Sequence, residues 1–291
     1  MMKKYKEIIE EELEKYFDIK KYNLPDSFPK EIFESMAYTT LLGGKRLRGI
    51  LCMEACRMFS SDYKAALPVS CALEMLHAHS LIHDDLPSMD NDDLRRGKPS
   101  NHKVFGEAIA ILAGDALISF GAQVILESKV KNKERILASY LKSAGAFGIV
   151  GGQTLDILSE GKEVTPETLS VIHKYKTGAL FECALYSGAL AGGAEDDDLE
   201  VILELGRNFG LCFQIYDDIM DVISTTDEMG KTIGKDKEEN KATYISVYGL
   251  DASREKFNIL IKRCYNILSG NKYSSKIIEE ILEKMLKRIN G

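Results

Sequence analysis

Apolar residues recur along this chain at helical spacing, and the period-two alternation of a half-buried strand is scarce. In the opening stretch MMKKYKEIIEEELEKYF, Ile8, Ile9, Leu13, Tyr16 and Phe17 gather on one helical face and the charged residues on the other. The runs EIFESMAYTTLLGG, RGILCMEACRMF, AALPVSCALEMLHAHSLIHDD and EAIAILAGDALISFGAQVILE follow, each reading as one helix or a kinked pair. So do ERILASYLKSAGAFGIVGGQTLDIL, PETLSVIHKYKTGALFECALYSGALAG and LEVILELGRNFGLCFQIYDDIMDVI, with a last helix pair beyond them. Several are apolar nearly all round, which places them inside a bundle. Pro25, Pro29 and Pro68 fall at helix starts or linkers, and Thr165-Pro166-Glu167 reads as a cap followed by proline in the first turn. There is no Asn-Gly or Asp-Gly hairpin signal and no low-complexity linker. The expected architecture is all-α, a helical bundle forming a single domain over residues 1–291.

Small residues concentrate in SAGAFGIVGGQ and TGALFECALYSGALAGGA, which predicts close helix packing and is compatible with room for a ligand between helices. One long polar stretch, Ser224–Tyr244, reads as a loop, and loops of that length are usually functional or disordered.

Composition narrows the function classes. A hydrophobic content of 45% supports a large core, and a net charge of −7 argues against a general nucleic-acid binder. Any bound anion must therefore be held by a local cluster of cations. The six cysteines form no CxxC pair and are expected to be reduced and buried, with no zinc site. The N-terminus has no apolar core of a signal peptide, and Asp115 interrupts the most apolar run, so no membrane span and a cytoplasmic location are expected.

Against this apolar background two carboxylate clusters stand out. Asp84, Asp85, Asp90, Asp92 and Asp93 follow one apolar helical run directly, with Pro87 ending it. Asp217, Asp218 and Asp221 end another, and Asp217, Asp221 and Gln214 share a helical side. Like charges at this spacing destabilise a helix, so something positive must compensate. A calcium loop of the EF-hand type fails, because Leu94 and Arg95 stand where a ligand and a glycine are required. Hard oxygen donors suit Mg²⁺, which is commonly shared with substrate phosphates.

Cations are placed to match. Lys45, Arg46 and Arg48 follow Gly43 and Gly44, Arg95 and Arg96 follow the first acidic cluster, and Lys176-Thr177-Gly178 interrupts an apolar helix. Lys231, Lys235 and Lys241 stud the long loop, and His77 shares a helical face with Asp84. The pattern describes carboxylates that hold metal, metal that holds a phosphate-bearing ligand, and cations that grip the same or a second phosphate, with an apolar remainder.

At these residues the chain resembles the trans-isoprenyl diphosphate synthases, the polyprenyl synthetase family, and within it the bacterial farnesyl and geranylgeranyl enzymes. The resemblance rests on Gly43-Gly44-Lys45-Arg46-Leu47-Arg48, on Asp84-Asp85-Leu86-Pro87-Ser88-Met89-Asp90 with Arg95-Arg96, and on Gly151-Gly152-Gln153-Thr154-Leu155-Asp156. Lys176-Thr177-Gly178 and Asp217-Asp218-Ile219-Met220-Asp221 complete it. It implies a bundle of the isoprenoid-synthase type around a central apolar cavity, and a homodimer. It implies that Gly44, Lys45, Arg48, His77 and Arg96 serve isopentenyl diphosphate. Asp84, Asp85, Asp90, Asp217 and Asp221 would bind more than one Mg²⁺, bridging to the allylic diphosphate. Arg95, Lys176, Thr177, Gln214, Lys231 and Lys241 would contact or support that diphosphate.

The implied reaction joins isopentenyl diphosphate to dimethylallyl or geranyl diphosphate through an allylic carbocation. Farnesyl diphosphate is the expected main product, with a geranylgeranyl diphosphate synthase as the alternative. By the same resemblance His79 and Ser80, five and four positions before Asp84, set chain length. An ideal helical projection turns position 79 away from the Asp84 face. A terpene cyclase would not need the second set of cations, and a non-catalytic partner subunit typically lacks one of the two aspartate motifs.

Overall fold

The structure, a computed structural model, describes residues 1–223 and 242–290, the last of these by its backbone alone. Lys231 and Lys241, and the rest of 224–241, lie outside the described residues. The helices are α1 (Met2–Phe17), α2 (Glu31–Leu41), α3 (Leu47–Phe59), α4 (Leu67–Asp84), α5 (Asn101–Phe105), α6 (Glu107–Glu127), α7 (Lys133–Ala144), α8 (Ile149–Ser159) and α9 (Pro166–Ile172). A π-helical turn (His173–Gly178) joins α9 to α10 (Ala179–Gly192), followed by α11 (Asp196–Ile223), α12 (Tyr244–Tyr248), α13 (Leu250–Leu268) and α14 (Lys276–Asn290). The all-α expectation holds. One continuous apolar core runs from Tyr5 in α1 to Ile289 in α14.

Helix α4 is central and touches α1, α2, α3, α6 and α10. Its near-absence of a polar face explains that position: Val69, Leu73, Met75, Leu76 and Ile82 are all buried. Pro68 stands in its first turn and Pro166 in that of α9, where Thr165 Oγ1 accepts the Thr168 N–H at 3.3 Å. On α1 the inward residues are Tyr5, Ile9, Leu13 and Phe17, with Ile8 and Tyr16 half-buried beside them.

The small-residue runs are packing devices. A Cβ on Gly188 of α10 would lie 2.0 Å from the Cys52 carbonyl oxygen, and one on Gly192 would lie 2.6 Å from that of Cys56. Backbone therefore rests on backbone where α10 crosses α3. All six cysteines are free and buried, as expected.

One element has no counterpart in the helical pattern. Leu94–Arg95 and Lys98–Pro99 form strands β1 and β2 of a small antiparallel hairpin. Arg96 (φ +54°) and Gly97 (φ +74°) make its turn, both in the left-handed region that a two-residue hairpin loop of this hand requires. The signal was hidden because arginine holds the place usually taken by Asn or Asp. Asn101 anchors the hairpin to α2, its amide donating to the Ser35 carbonyl at 2.9 Å and to Thr39 Oγ1 at 3.0 Å.

Two helical segments, Tyr63–Asp84 and Glu107–Glu127, are long and apolar enough to cross a membrane by length and composition alone. The first is mostly buried core, and the second packs on α4 while Ile111, Leu112 and Leu126 face outward.

Gly188→Ala should force α10 off α3. We expect a loss of about 1–3 kcal/mol or more in urea unfolding, the range for overpacking a tight core. An unchanged midpoint would mean that the two helices can slide apart freely.

Candidate active site

The end of α4 sets the first half of the site. Asp84 closes the helix, and the chain then coils back on itself. The Met89 and Asn91 N–H groups both donate to the Leu86 carbonyl (2.9 and 3.1 Å), and the Asp90 N–H donates to the Asp84 carbonyl at 2.8 Å. The Leu86–Met89 segment thus returns Asp90 to Asp84. Asp85 is almost wholly buried and is gripped by Arg95, whose Nε lies 2.9 and 3.1 Å from its two carboxylate oxygens. Arg95 also reaches Asp92 at 3.3 Å.

Burial is the largest influence on Asp84 and pushes its pKa up to about 6; the Lys176 charge opposes this and Asp90 adds to it. Lys176 projects from the π-helical turn and is ion-paired with Asp156 of α8. Burial disfavours its ammonium, yet Asp156 and Asp84 outweigh that, and its pKa is raised.

The second half of the site lies on α11. Thr177 Oγ1 donates to Gln214 Oε1 at 2.7 Å, and Gln214 Nε2 donates to Asp218 Oδ1 at 2.8 Å. Asp218 is buried and accepts the Tyr244 N–H at 2.7 Å, so it fastens α12 to α11. Asp217, its neighbour, lines the adjacent cavity.

Against the second half lies a cavity of about 530 Å³, whose lining includes Arg46 and Glu74 but none of Asp84, Asp85, Asp90, Arg95 or Lys176. Gly44, Lys45, Arg48, His77, Arg96, Thr177, Gln214 and Asp217 line it, with Leu42, Leu47 and Phe213 as apolar wall. Arg48 lies over the Phe181 ring at 4.8 Å, and its buried Nε has no hydrogen-bond partner. Burial pushes Arg48 down to about 10 against the pull of Glu74 and Asp217, so it stays charged at neutral pH. His77 is held well below its ordinary range, first by burial and then by Arg48 and Arg96, and is neutral. Arg96 donates to the Gly43 carbonyl, and a Cβ on Gly44 (φ +117°) would meet its guanidinium carbon at 2.7 Å. A larger hollow of about 730 Å³, lined by Arg135, Lys142, Glu182 and Arg207 among others, contains none of the expected site residues. The expected cationic residues Lys45, Arg48 and Arg96 line the smaller one.

A model of the polyprenyl synthetase family matches residues 29–285. This chain belongs to that family. It is 46% identical over 263 residues to a geranylgeranyl diphosphate synthase of Cyanophora paradoxa, covering 88% of this chain and 85% of that one. It is 42% identical over 265 residues to the farnesyl diphosphate synthase of Geobacillus stearothermophilus, covering 89% of each. In three dimensions it resembles the apo FPP/GFPP synthase of Zymomonas mobilis, with a TM-score of 0.81, 33% identity and 94% of each chain covered.

The structure adds detail on several of these residues. Arg46 lines the same cavity but is buried, in a left-handed conformation (φ +50°), and its charge is engaged by Glu10 at 3.3 Å and Glu74 at 3.7 Å. His79 points to α6, its Nδ1–H donating to the Gly114 carbonyl at 3.1 Å, and Ser80 Oγ donates back to the His77 carbonyl at 2.9 Å. Glu74 and Asp156 carry weight that the sequence picture did not assign them. Glu74 accepts the Gly49 N–H at 2.9 Å and braces the start of α3. A glutamate amid the apolar run of α4 was the available signal.

Among the described residues no three carboxylate, imidazole or thiol side chains converge as a metal cage. Mg²⁺ typically takes one or two protein carboxylates and fills its shell with water and phosphate oxygen. A hard, half-buried carboxylate whose pKa is raised by burial and by a like-charged neighbour, as Asp84 is, fits that use.

The raised Asp84 value fixes the sign of a pH effect. Its folded pKa exceeds the ordinary value near 4, so stability is lost as pH rises toward about 6 and stays lost above it. Asp84→Asn should therefore raise the unfolding free energy at pH 8 by ~1–3 kcal/mol. The gain should fade as pH falls from about 6 toward 4, read by urea titration across pH.

Proposed function

We propose that this protein is a Mg²⁺-dependent trans-prenyltransferase that condenses isopentenyl diphosphate with allylic diphosphates, with farnesyl diphosphate as main product. The observation that carries the reading is the shared cavity. Lys45, Arg48, His77 and Arg96 line one wall, and Thr177, Gln214 and Asp217 line the other. A terpene cyclase needs no such cationic wall, and a non-catalytic subunit needs neither aspartate cluster.

Lys45, Arg48 and Arg96 suit a diphosphate bound directly, and neutral His77 adds a hydrogen bond without charge. Asp84, Asp90, Asp217 and Asp221 would hold Mg²⁺, and Asp85 would join them on release from Arg95. Bound Mg²⁺ supplies positive charge against the departing diphosphate. Arg95 and Lys176 add theirs from the protein side. Ionisation of the allylic C–O bond leaves a carbocation, and the Thr177 hydroxyl and Gln214 carbonyl oxygen are engaged with each other at 2.7 Å. The isopentenyl double bond attacks, and the proton lost returns to the diphosphate. Leu42, Leu47 and Phe213 keep water away from the cation.

Relatives of both product lengths match this chain, so product length is the finer part of the proposal. His79 supplies bulk beside α6 below Asp84, and its loss would open depth there. The outward row Ile111, Leu112 and Leu126 on α6, with exposed Leu141 and Phe147 nearby, suits a second copy of the chain and supports a homodimer. Six free, buried thiols are compatible with a cytoplasmic protein.

The purified protein with isopentenyl and dimethylallyl diphosphates should give a fifteen-carbon product with Mg²⁺ and none with EDTA. Chromatography of the dephosphorylated alcohols reads the length. His79→Ala should lengthen the product; an unchanged length removes His79 from chain-length control. Leu112→Glu should convert a dimer into a monomer in sedimentation velocity, since a charge would replace an apolar contact on the α6 face.

A further inference from the structure

Asp156 is a buried carboxylate on α8 that the reaction outlined above does not use. It is ion-paired with the Lys176 ammonium. The local backbone is built for that meeting. A Cβ on Gly152, one helical turn before Asp156 on the same face of α8, would lie 2.2 Å from the Lys176 amide nitrogen and 2.6 Å from its Cα. The π-helical turn is therefore seated directly on α8, and Asp156 receives the side chain that leaves it. Widened turns of this kind are frequent at functional sites. Here the turn sends neighbouring side chains to different helices, Lys176 to Asp156 on α8 and Thr177 to Gln214 on α11.

Lys176 has a competing destination. The charges of Asp84 and Asp90 both act on it from the first cluster. An ammonium free to settle there would neutralise the carboxylates that metal and diphosphate need. We propose that Asp156 is the positioning residue for Lys176: it holds the ammonium on α8 rather than on the first acidic cluster, and keeps the lysine aimed at the allylic diphosphate. The proposal deepens, and rests on, the prenyltransferase reading. A purely structural ion pair between α8 and the π-helical turn is the rival, and it makes different predictions.

The test is a double-mutant cycle on the full chain, using Asp156→Asn, Lys176→Ala and their combination. Affinity for inorganic pyrophosphate with Mg²⁺ is read by calorimetry, beside steady-state rates. We expect Asp156→Asn to weaken pyrophosphate binding and turnover by ~10–100-fold, the usual cost of losing a supporting partner. The KM for isopentenyl diphosphate should stay within about twofold, because Lys45, Arg48 and Arg96 are untouched. In the Lys176→Ala background the same change should add less than about twofold, since Asp156 acts through the lysine. Asp156→Glu should restore most of the loss, and it carries the test if the Asn variant does not fold. Equal losses in both backgrounds, or an equal rise in the KM for isopentenyl diphosphate, would overturn the proposal in favour of a structural pair. A wild-type chain that makes no prenyl product refutes the enzymatic reading instead, and the pyrophosphate cycle still reports on Asp156.

Discussion

The constraint on which the molecule depends is the cost of removing carboxylates from water. Helix α4 must be apolar to sit at the centre of the bundle, yet it ends on Asp84 and Asp85. Asp85 meets this cost with a guanidinium from the β1–β2 hairpin, and Asp156 meets it with Lys176. Asp84 has no such dedicated partner among the described ion pairs, and its raised pKa records the difference. A buried ion pair adds little net stability, because desolvation offsets the attraction, so these pairs are better understood as placement devices. They keep cations within reach of the acidic cluster and keep them from collapsing onto all of it.

Placement at this precision needs close backbone approach. Gly152 lets the π-helical turn lie on α8, Gly44 lets the Arg96 guanidinium lie flat on the chain, and Gly188 lets α10 lie on α3. In each case a Cβ would overlap its neighbour. The left-handed conformation of Arg96 belongs with these. Strain of order 1–2 kcal/mol in a non-glycine residue is tolerated because the hairpin turn demands it and the Gly43 carbonyl holds the side chain.

What the sequence made legible follows from the same physics. Periodicity exposed the helices and their inward faces, because a period repeated over many residues averages out local exceptions. The aspartate clusters and the cations facing them were legible as uncompensated charge at the ends of apolar runs. The hairpin was not, because its two residues per strand are too few for a period and its turn residue is an arginine. Nor was the division of labour within clusters. Lys45, Arg46 and Arg48 look alike in sequence, but a left-handed residue at 46 turns one of the three inward to Glu10 and Glu74. Asp217 and Asp218 are likewise adjacent, yet only the second fastens the Tyr244 backbone.

The asymmetry of the cavity bears on how two chemically similar head groups could be told apart. One wall presents Lys45, Arg48 and Arg96 with a histidine kept neutral, so it attracts a bare diphosphate. The far wall presents Asp217 of α11, while Asp84 and Asp90 stand at the end of α4 outside the cavity's lining; carboxylates repel a bare diphosphate and accept one only when a hard cation comes with it. Under the proposed function this difference does the sorting. The substrate that must not ionise sits where charge is neutralised by fixed side chains. The one that must ionise sits where positive charge can concentrate on its leaving group, with Lys176 held ready by Asp156. Neutral His77 matters to this arrangement: a third full charge, added to Arg48 and Arg96, would add repulsion to a wall where burial already pushes Arg48 down to about 10.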